Sequence, residues 1–253
     1  MKKLATALVS AAAIMTMSTT AFAAENPAEV FDRVMEKNNT IQSAEIQSGV
    51  HSVILAKDVI PDGQMKVDMA MHAEMDMQDT TDLKYLAQVA SSILGQDSYS
   101  QVFYTDGYYY VDANGVKLKY PMPLEQIISS VQTGVNTSNM ESSDMKGISL
   151  NEVNGKRVLA YEANPKKLNK NVKEALRTVM NTLGTDVNLD MNIQEMKGAY
   201  VLDDNDYIIY MTNYIVYNME VLDQPMTCIT LMETEVQNPG EPVVVTLPST
   251  DGY

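Results

Sequence analysis

The chain has 253 residues, a formal net charge of −15 at pH 7, one cysteine and no tryptophan. The negative charge argues against binding to nucleic acid and against electrostatic attraction to anionic membranes. Because Cys228 is the only cysteine, an intramolecular disulfide is excluded and the fold depends on its hydrophobic core.

The N-terminal segment has the pattern of a secretory signal peptide. Two lysines precede an apolar run, which ends in the small-residue sequence Ala21-Phe22-Ala23. We therefore expect cleavage after Ala23, an exported protein, and a single domain over residues 24–253. No later apolar stretch approaches the roughly 18 residues of a membrane-spanning helix, and no cysteine follows the cleavage site to carry a lipid anchor.

A helix is predicted at residues 27–38. Asn26 is a good N-cap residue, and Pro27 suits the first helical position. Apolar residues recur on one face of this helix, at Val30, Phe31, Val34 and Met35.

A methionine-rich strand is predicted at residues 65–77, where every odd position is apolar and nearly every even one is polar. Residues 44–57 form its predicted hairpin partner across the turn Pro61-Asp62-Gly63. At about 3.3 Å per residue the strand reaches roughly 43 Å, a length typical of strongly curved sheets and barrels.

The next segment, from Asp82 to Gly95, has the spacing of a helix. Its apolar residues are Leu83, Leu86, Ala87, Ala90, Ile93 and Leu94. Asp82 is a suitable start and Gly95 a suitable end for a helix.

The rest of the chain reads mainly as strands joined by short turns, with Asp106-Gly107, Asn114-Gly115 and Asn154-Gly155 as hairpin signals. The predicted strands are 102–105, 108–111, 116–120, 148–153, 156–163, 187–197, 199–202, 207–222 and 226–237, with an extended edge segment at 243–248. Helices are predicted at 124–132 and 165–183, with a polar loop at 133–146. The pattern predicts an α+β fold: one large curved antiparallel sheet of about eleven strands with helices on its concave face.

Catalytic motifs are scarce. The chain has two histidines, and it shows no phosphate-binding glycine loop, nucleophile elbow or zinc spacing. The acidic turn with Asp203, Asp204 and Asp206 is more typical of a solvated turn than of a calcium loop. Cys228 lies among apolar strand residues and is expected to be a small buried hydrophobe. We therefore expect a protein that is not an enzyme and needs no cofactor.

Methionine is the distinctive residue, and the strand methionines have three interpretations. They form ordinary core, or core that also lines an adaptable apolar cavity for acyl chains. The predicted lining comprises Val67, Met69, Met71, Met75, Val187, Leu189, Met191, Ile193, Ile209, Met211 and Ile215.

The third interpretation is a Cu(I) site formed by Met69, Met71, Met75 and Met77, with or without His72, because thioethers are soft ligands. Geometry weakens it. His72 is expected on the opposite strand face, and Met69 and Met71 are about 7 Å apart along one strand.

The C-terminal third carries a resemblance. The run from Gly198 to Met211 and the run from Asn238 to Pro248 resemble the closing strands of the LolA/LppX superfamily of half-open β-barrels. The N-terminal order of signal peptide, helix and alternating strands is similar. The chain departs from tethered members because it lacks the anchoring cysteine, and the segment 79–100 has no counterpart that we can match.

The resemblance implies a half-open barrel with an apolar cavity and a role in carrying or sensing lipoproteins or glycolipids. We therefore expect a secreted, non-enzymatic binding protein for a lipid, glycolipid or acylated protein. The alternative is a cell-envelope domain with a filled core that binds a protein partner through its sheet edges or its 133–146 loop.

Overall fold

The computed structural model describes residues 25–56, 60–79, 83–124, 126–127, 140–170, 191–221 and 224–253. The predicted signal peptide at 1–23 lies outside these ranges.

Eleven antiparallel strands form one curved sheet, which confirms the predicted fold class. The strands are β1 (Ser43–Leu55), β2 (Gln64–Asp76), β3 (Lys84–Ile93), β4 (Gln96–Thr105), β5 (Tyr108–Ala113), β6 (Val116–Pro121), β7 (Met145–Val153), β8 (Lys156–Ala163), β9 (Met191–Leu202), β10 (Ile208–Val221) and β11 (Gln224–Gln237). Their order across the sheet is β6-β5-β4-β3-β2-β1-β11-β10-β9-β8-β7. The sheet is therefore two meanders, β1–β6 and β7–β11, joined where β1 pairs with β11.

Helix α1 spans Pro27–Asn38, the predicted range. The Asn26 side chain accepts a hydrogen bond from the Ala28 amide at 3.1 Å, which satisfies one of the free amides of the first turn. The four apolar residues of its predicted face are all buried. They pack against β7–β10, and we call the face of the sheet that they contact the inner face.

The predicted hairpin turns follow from left-handed backbone at both central residues. Asn114 and Gly115 have φ of 51° and 85°, and the Asp106-Gly107 and Asn154-Gly155 turns are similar. Asparagine, aspartate and glycine adopt this conformation at low cost, so the two-residue turns match the twist of the strands.

The helix predicted from Asp82 to Gly95 is wrong, because residues 84–93 form strand β3. In β3, Ala87 is buried on the inner face and Leu86 is buried on the opposite, outer face. Because apolar residues occupy both faces of the strand, their spacing in the sequence resembles that of a helix. The β3–β4 turn also lacks the usual signal: Leu94 takes the left-handed position before Gly95, with φ of 52°.

The outer face of β3–β5 is covered by the end of the chain. Residues 243–248, predicted as an edge segment, form no strand, and Val245 packs on Leu86, Phe103 and Tyr110. Phe103 and Tyr110 stack at 4.6 Å, and the Tyr253 ring meets both edge to face. The closing segment therefore buries a separate core on the outer face of the sheet.

Other predictions are confirmed in part. Residues 124, 126–127 and 165–170 are helical, and 128–132 and 171–183 lie outside the described ranges. Of the polar loop, 133–139 is likewise outside, while Ser142–Asp144 forms a short 3-10 turn and β7 begins at Met145. The strand predicted from 187 is described from Met191 onward and runs to Leu202 without the predicted break.

Candidate functional site: the inner face of the sheet

Strand register assigns the residues of β1 and its neighbours to the two faces. Residues that pair directly in an antiparallel sheet point to the same side. Met71 pairs with Ser48, Ser48 with Thr234, and Thr234 with Met211, so these four residues form one row across the inner face. The odd positions of β2 therefore face inward, as the alternation predicted.

Burial divides the inner face of β1–β3 into two halves. The closed half consists of Ala44, Ile46, Ala73, Met75 and Ala87, which are all buried in one cluster. The open half contains the apolar side chains of Val50, Ile54, Val67, Met69 and Ile93, none of which is buried, and the hydroxyl of Ser52 lies among them. Met75 is 1% exposed, whereas Met69 is 39% and Ile93 43% exposed. An apolar surface thus continues past the point where the core ends.

Short hydroxyl side chains lie along the middle of this face. Ser48 and Thr234 are hydrogen-bonded at 2.8 Å, and Ser52 and Thr230 at 2.9 Å. Because each hydroxyl has a partner within the sheet, the surface is polar in places without presenting unsatisfied groups. The open half is therefore an apolar surface that small polar side chains such as Ser52 interrupt.

The predicted lining residues separate into several environments. Val67, Met69 and Met71 lie on the inner face of β2, whereas Met75 is core. Met211 and Ile215 pack beside the α1 cluster. Val67 and Ile215 lie in the same row, but β1 and β11 stand between them, which separates their strands by about 14 Å.

The remaining predicted residues lie on β9 and β10 or outside the described ranges. Ile193 is buried in the α1 cluster, and Met191 pairs with Met219. Ile209 lies at a bulge, where the β9–β10 register shifts. Val187 and Leu189 fall in the undescribed segment before Met191.

Three members of the open half were absent from the predicted lining: Val50, Ile54 and Ile93. Ile93 was assigned to the helix that proved to be a strand, and β1 alternates imperfectly in sequence. The pairings of Val50 with Met69 and of Ile93 with Val67 are the signal that places them. A sequence alone does not give this register.

The predicted Cu(I) site on β2 is not assembled by its neighbours. The residues directly opposite Met69, Met71 and Met75 on β1 and β3 carry no sulfur. As expected, His72 lies on the outer face, 3.2 Å from Glu45 and 3.8 Å from Glu74. Within the described ranges, no group of three or more His, Cys, Asp or Glu side chains could hold a metal ion.

An ion-pair network fixes α1 to the β9–β10 turn. Asp206 bonds to Arg33 at 2.8 Å and to Arg157 at 2.5 Å, and Glu25 contacts both arginines. Burial would raise the pKa of Asp206, but the hydrogen bonds and charges of the two arginines outweigh it and lower the pKa below its ordinary value. Lys37 also donates to the Asn205 carbonyl. The helix is therefore held at its polar side as well as by its core.

A buried tyrosine–asparagine pair lies near α1. The Tyr161 hydroxyl donates to the Asn213 side chain, and burial raises the pKa of Tyr161 well above its ordinary value. Gly198 lies beneath this pair, where a Cβ atom would be 2.4 Å from Asn213 Oδ1. The glycine thus makes room for the tyrosine–asparagine contact.

Cys228 is 1% exposed and free, which confirms the prediction of a small buried hydrophobe. Burial raises the pKa of its thiol, while a hydrogen bond with Tyr217 opposes the shift. Among the described residues, no helix has both the length and the apolar character needed to cross a membrane.

Comparisons with known proteins identify a family and a set of similar structures. A family model described as "Family of unknown function (DUF6612)" matches residues 26–248. No curated protein matches the chain.

Two of the similar solved structures are mycobacterial. LprF from Mycobacterium bovis is 10% identical, with 88% of this chain and 97% of LprF covered and a TM-score of 0.38. The lipoprotein LppX from Mycobacterium tuberculosis is 9% identical, with 88% of this chain and 100% of LppX covered and a TM-score of 0.38.

A third similar structure is a β-barrel-like protein of the DUF1849 domain from Brucella abortus. It is 11% identical, with 79% of this chain and 100% of that chain covered and a TM-score of 0.27.

Proposed function

We propose that this chain, which belongs to the DUF6612 family, is an exported, non-enzymatic protein that binds an apolar or amphiphilic ligand on the open half of its inner face. The ligand class is a lipid, a glycolipid or an acylated protein. The observation that carries the proposal is the contrast on β2, where Met75 is buried and Met69, on the same face, is 39% exposed.

The open half has the chemistry of a binding surface for acyl chains. Its five apolar side chains come from three adjacent strands. Contiguous exposed apolar surface on a protein in water commonly marks a binding site. Methionine adapts to partners of irregular shape because its side chain is unbranched and polarizable. Acyl chains of varied length suit such a surface.

Burial of apolar area supplies the driving force. Covering roughly 300 Å² of apolar surface contributes about 7 kcal/mol before the costs of association are subtracted. The hydroxyl pairs Ser48–Thr234 and Ser52–Thr230 offer polar contacts beside the apolar side chains. An amphiphile with a polar head and an apolar chain uses both kinds of surface.

Native mass spectrometry of the protein purified from its own host, followed by solvent extraction, tests the proposal directly. We expect a stoichiometric co-purifying amphiphile whose release restores the mass of the polypeptide. An apo mass combined with no uptake of a fluorescent fatty acid contradicts the proposal.

A pair of variants locates the binding surface. Leu55 on the outer face is 38% exposed, so it matches Met69 in exposure and differs in face. We expect Met69→Lys to lower the affinity for a fluorescent fatty acid at least tenfold, because it places a charge on the apolar surface. Leu55→Lys should change the affinity less than twofold. Equal effects of both substitutions would place the binding surface elsewhere.

The alternative, a protein-binding envelope domain, is favoured by one observation on the edge strand β6. Val116, Leu118 and Tyr120 of this strand are exposed, and the register places them on the inner face. An exposed apolar edge strand is a template for pairing with another chain. In that case the Leu118→Lys substitution would abolish binding of the protein partner. Neither the wild type nor this variant would show detectable binding of a fatty acid.

A further inference from the structure

Four sulfur-bearing side chains meet on strands β9–β11. Met219 on β10 pairs directly with Met226 on β11 and with Met191 on β9. Cys228 lies two residues beyond Met226, so all four residues share the inner face. This cluster is separate from the methionines of β2, and it borders the open half at Ile54, which pairs with Cys228.

One sulfur pair of the cluster, in which the Cys228 thiol donates a hydrogen bond to Met219 Sδ, has the spacing of two ligands on one metal ion. Cys228 Sγ lies 3.7 Å from Met219 Sδ. Two sulfur ligands about 2.3 Å from a single ion, at a tetrahedral angle, are about 3.8 Å apart. The two sulfurs therefore need little movement to hold an ion between them.

We propose that this cluster binds one soft monovalent metal ion, Cu(I) or its redox-inert analogue Ag(I), through Cys228 and Met219. Met191 and Met226 flank Met219, and one of these two methionines supplies a third sulfur ligand. Thiolate and thioether ligands select Cu(I) over harder cations. On binding, the Cys228 thiol releases its proton to solvent and its sulfur bonds to the metal, with no change of oxidation state.

The surroundings of the cluster suit this ion. Cys228 is 1% exposed, whereas Met219 is only half-buried, so the ion reaches the thiolate past a flexible thioether and is then shielded from water. Ile54 of β1 pairs with Cys228 and covers its other side. The site differs from the site expected on β2, whose methionines have no sulfur on directly opposite residues.

Anaerobic titration against a chromophoric Cu(I) chelator, with Ag(I) stoichiometry from native mass spectrometry, tests the proposal on the full chain. We expect one ion per chain. Cys228→Ser should lower Cu(I) affinity at least a hundredfold and Met219→Leu at least tenfold. Met232→Leu, on the inner face of β11 but opposite Asn213 and Val50, should change it less than twofold.

Leucine replaces methionine at nearly constant volume, so Met219→Leu removes the ligand with little loss of packing. X-ray absorption at the copper K-edge of the Cu(I)-loaded protein should show at least two sulfur neighbours of the metal. Absence of a 1:1 complex, or equal affinity of the Met219→Leu variant and the wild type, would overturn the proposal. The inference does not depend on lipid binding, because Met219→Leu should leave fatty-acid uptake unchanged.

Discussion

Met75 and Met69 are the same residue type on the same face of β2, six positions apart, yet one is core and the other is surface. The closed half around Met75 packs with Leu83, Ile127 and the nearby Met122 and Leu124. Within the part of the chain that the structure describes, Met69 is neither a member of a buried cluster nor one of the apolar residues packed against one. The difference shows that alternation along a strand fixes which face a side chain occupies, while the elements stacked on that face decide its burial.

The largest expected effect is a difference in the free energy of unfolding between variants of these two methionines. We expect Met75→Ala to lower the free energy of unfolding by about 2–5 kcal/mol, because it leaves a cavity in the closed half. Met69→Ala should cost less than about 1 kcal/mol, since the side chain is already partly in water. Denaturant unfolding of both variants measures the difference. Similar losses would mean that both halves are equally packed.

A second comparison uses two mid-strand glycines. A Cβ atom at Gly198 would lie 2.6 Å from the Thr212 carbonyl oxygen, whereas at Gly49 it would meet nothing within 4 Å. We expect Gly198→Ala to destabilise the protein by about 1–3 kcal/mol through overpacking. Gly49→Ala should be neutral or stabilising by about 0.5 kcal/mol. If thermal unfolding shows Gly49→Ala to be less stable than Gly198→Ala, the close packing around Gly198 is contradicted.

The ion-pair network predicts a pH dependence of stability. The pKa of Asp206 is lower in the folded than in the unfolded protein, so its contribution is full above the ordinary carboxyl pKa and is lost as the pH falls through the folded value. Asp206→Asn should cost about 1–2 kcal/mol at neutral pH. It should also flatten the loss of stability below about pH 4.

The matched control is Asp204→Asn in the same turn, where the side chain is exposed. Its unfolding curves should follow the wild type from neutral to acid pH. If both variants respond alike, the effect comes from net charge and not from the contacts of Asp206 with the arginines.

The smallest effect concerns the hydroxyl pair between the two halves. Thr234 is 3% exposed and bonds to Ser48, so Ser48→Ala leaves a buried hydroxyl unpaired and should cost about 1 kcal/mol. Adding Thr234→Val should cost less than the sum of the two single changes. Ser98→Ala, in the exposed Ser91–Ser98 pair, should have no measurable effect. Additive costs would show that water already replaces the bond.

The elements that could be predicted from sequence have local causes. The bounds of α1 follow from Asn26, Pro27 and one apolar face, and the tight hairpins follow from Asn-Gly and Asp-Gly turns. Strand β3 was missed because its residues are buried on both faces and because Leu94 occupies a turn position usually held by asparagine or glycine. The second face is buried by Val245, about 160 residues away in the chain, which no local pattern reveals.

The sequence predicted which face of the sheet the candidate residues occupy, but not where the exposed part of that face ends. Alternation placed Val67, Met69 and Met71 correctly on the inner side, but it could not separate them from buried Met75. The sulfur cluster required the register of three strands, because Met191, Met219 and Cys228 follow no common spacing in sequence.

The join between β1 and β11 has a consequence for how the chain folds. Each meander forms from neighbouring hairpins, but Glu45 pairs with Gln237, about 190 residues further along the chain. Contacts of such high contact order close late, because the entropy of loop closure must be overcome before they contribute. During synthesis the first meander therefore forms with β1 as an unpaired edge. Until β11 arrives, a chaperone or a second nascent chain can occupy that edge.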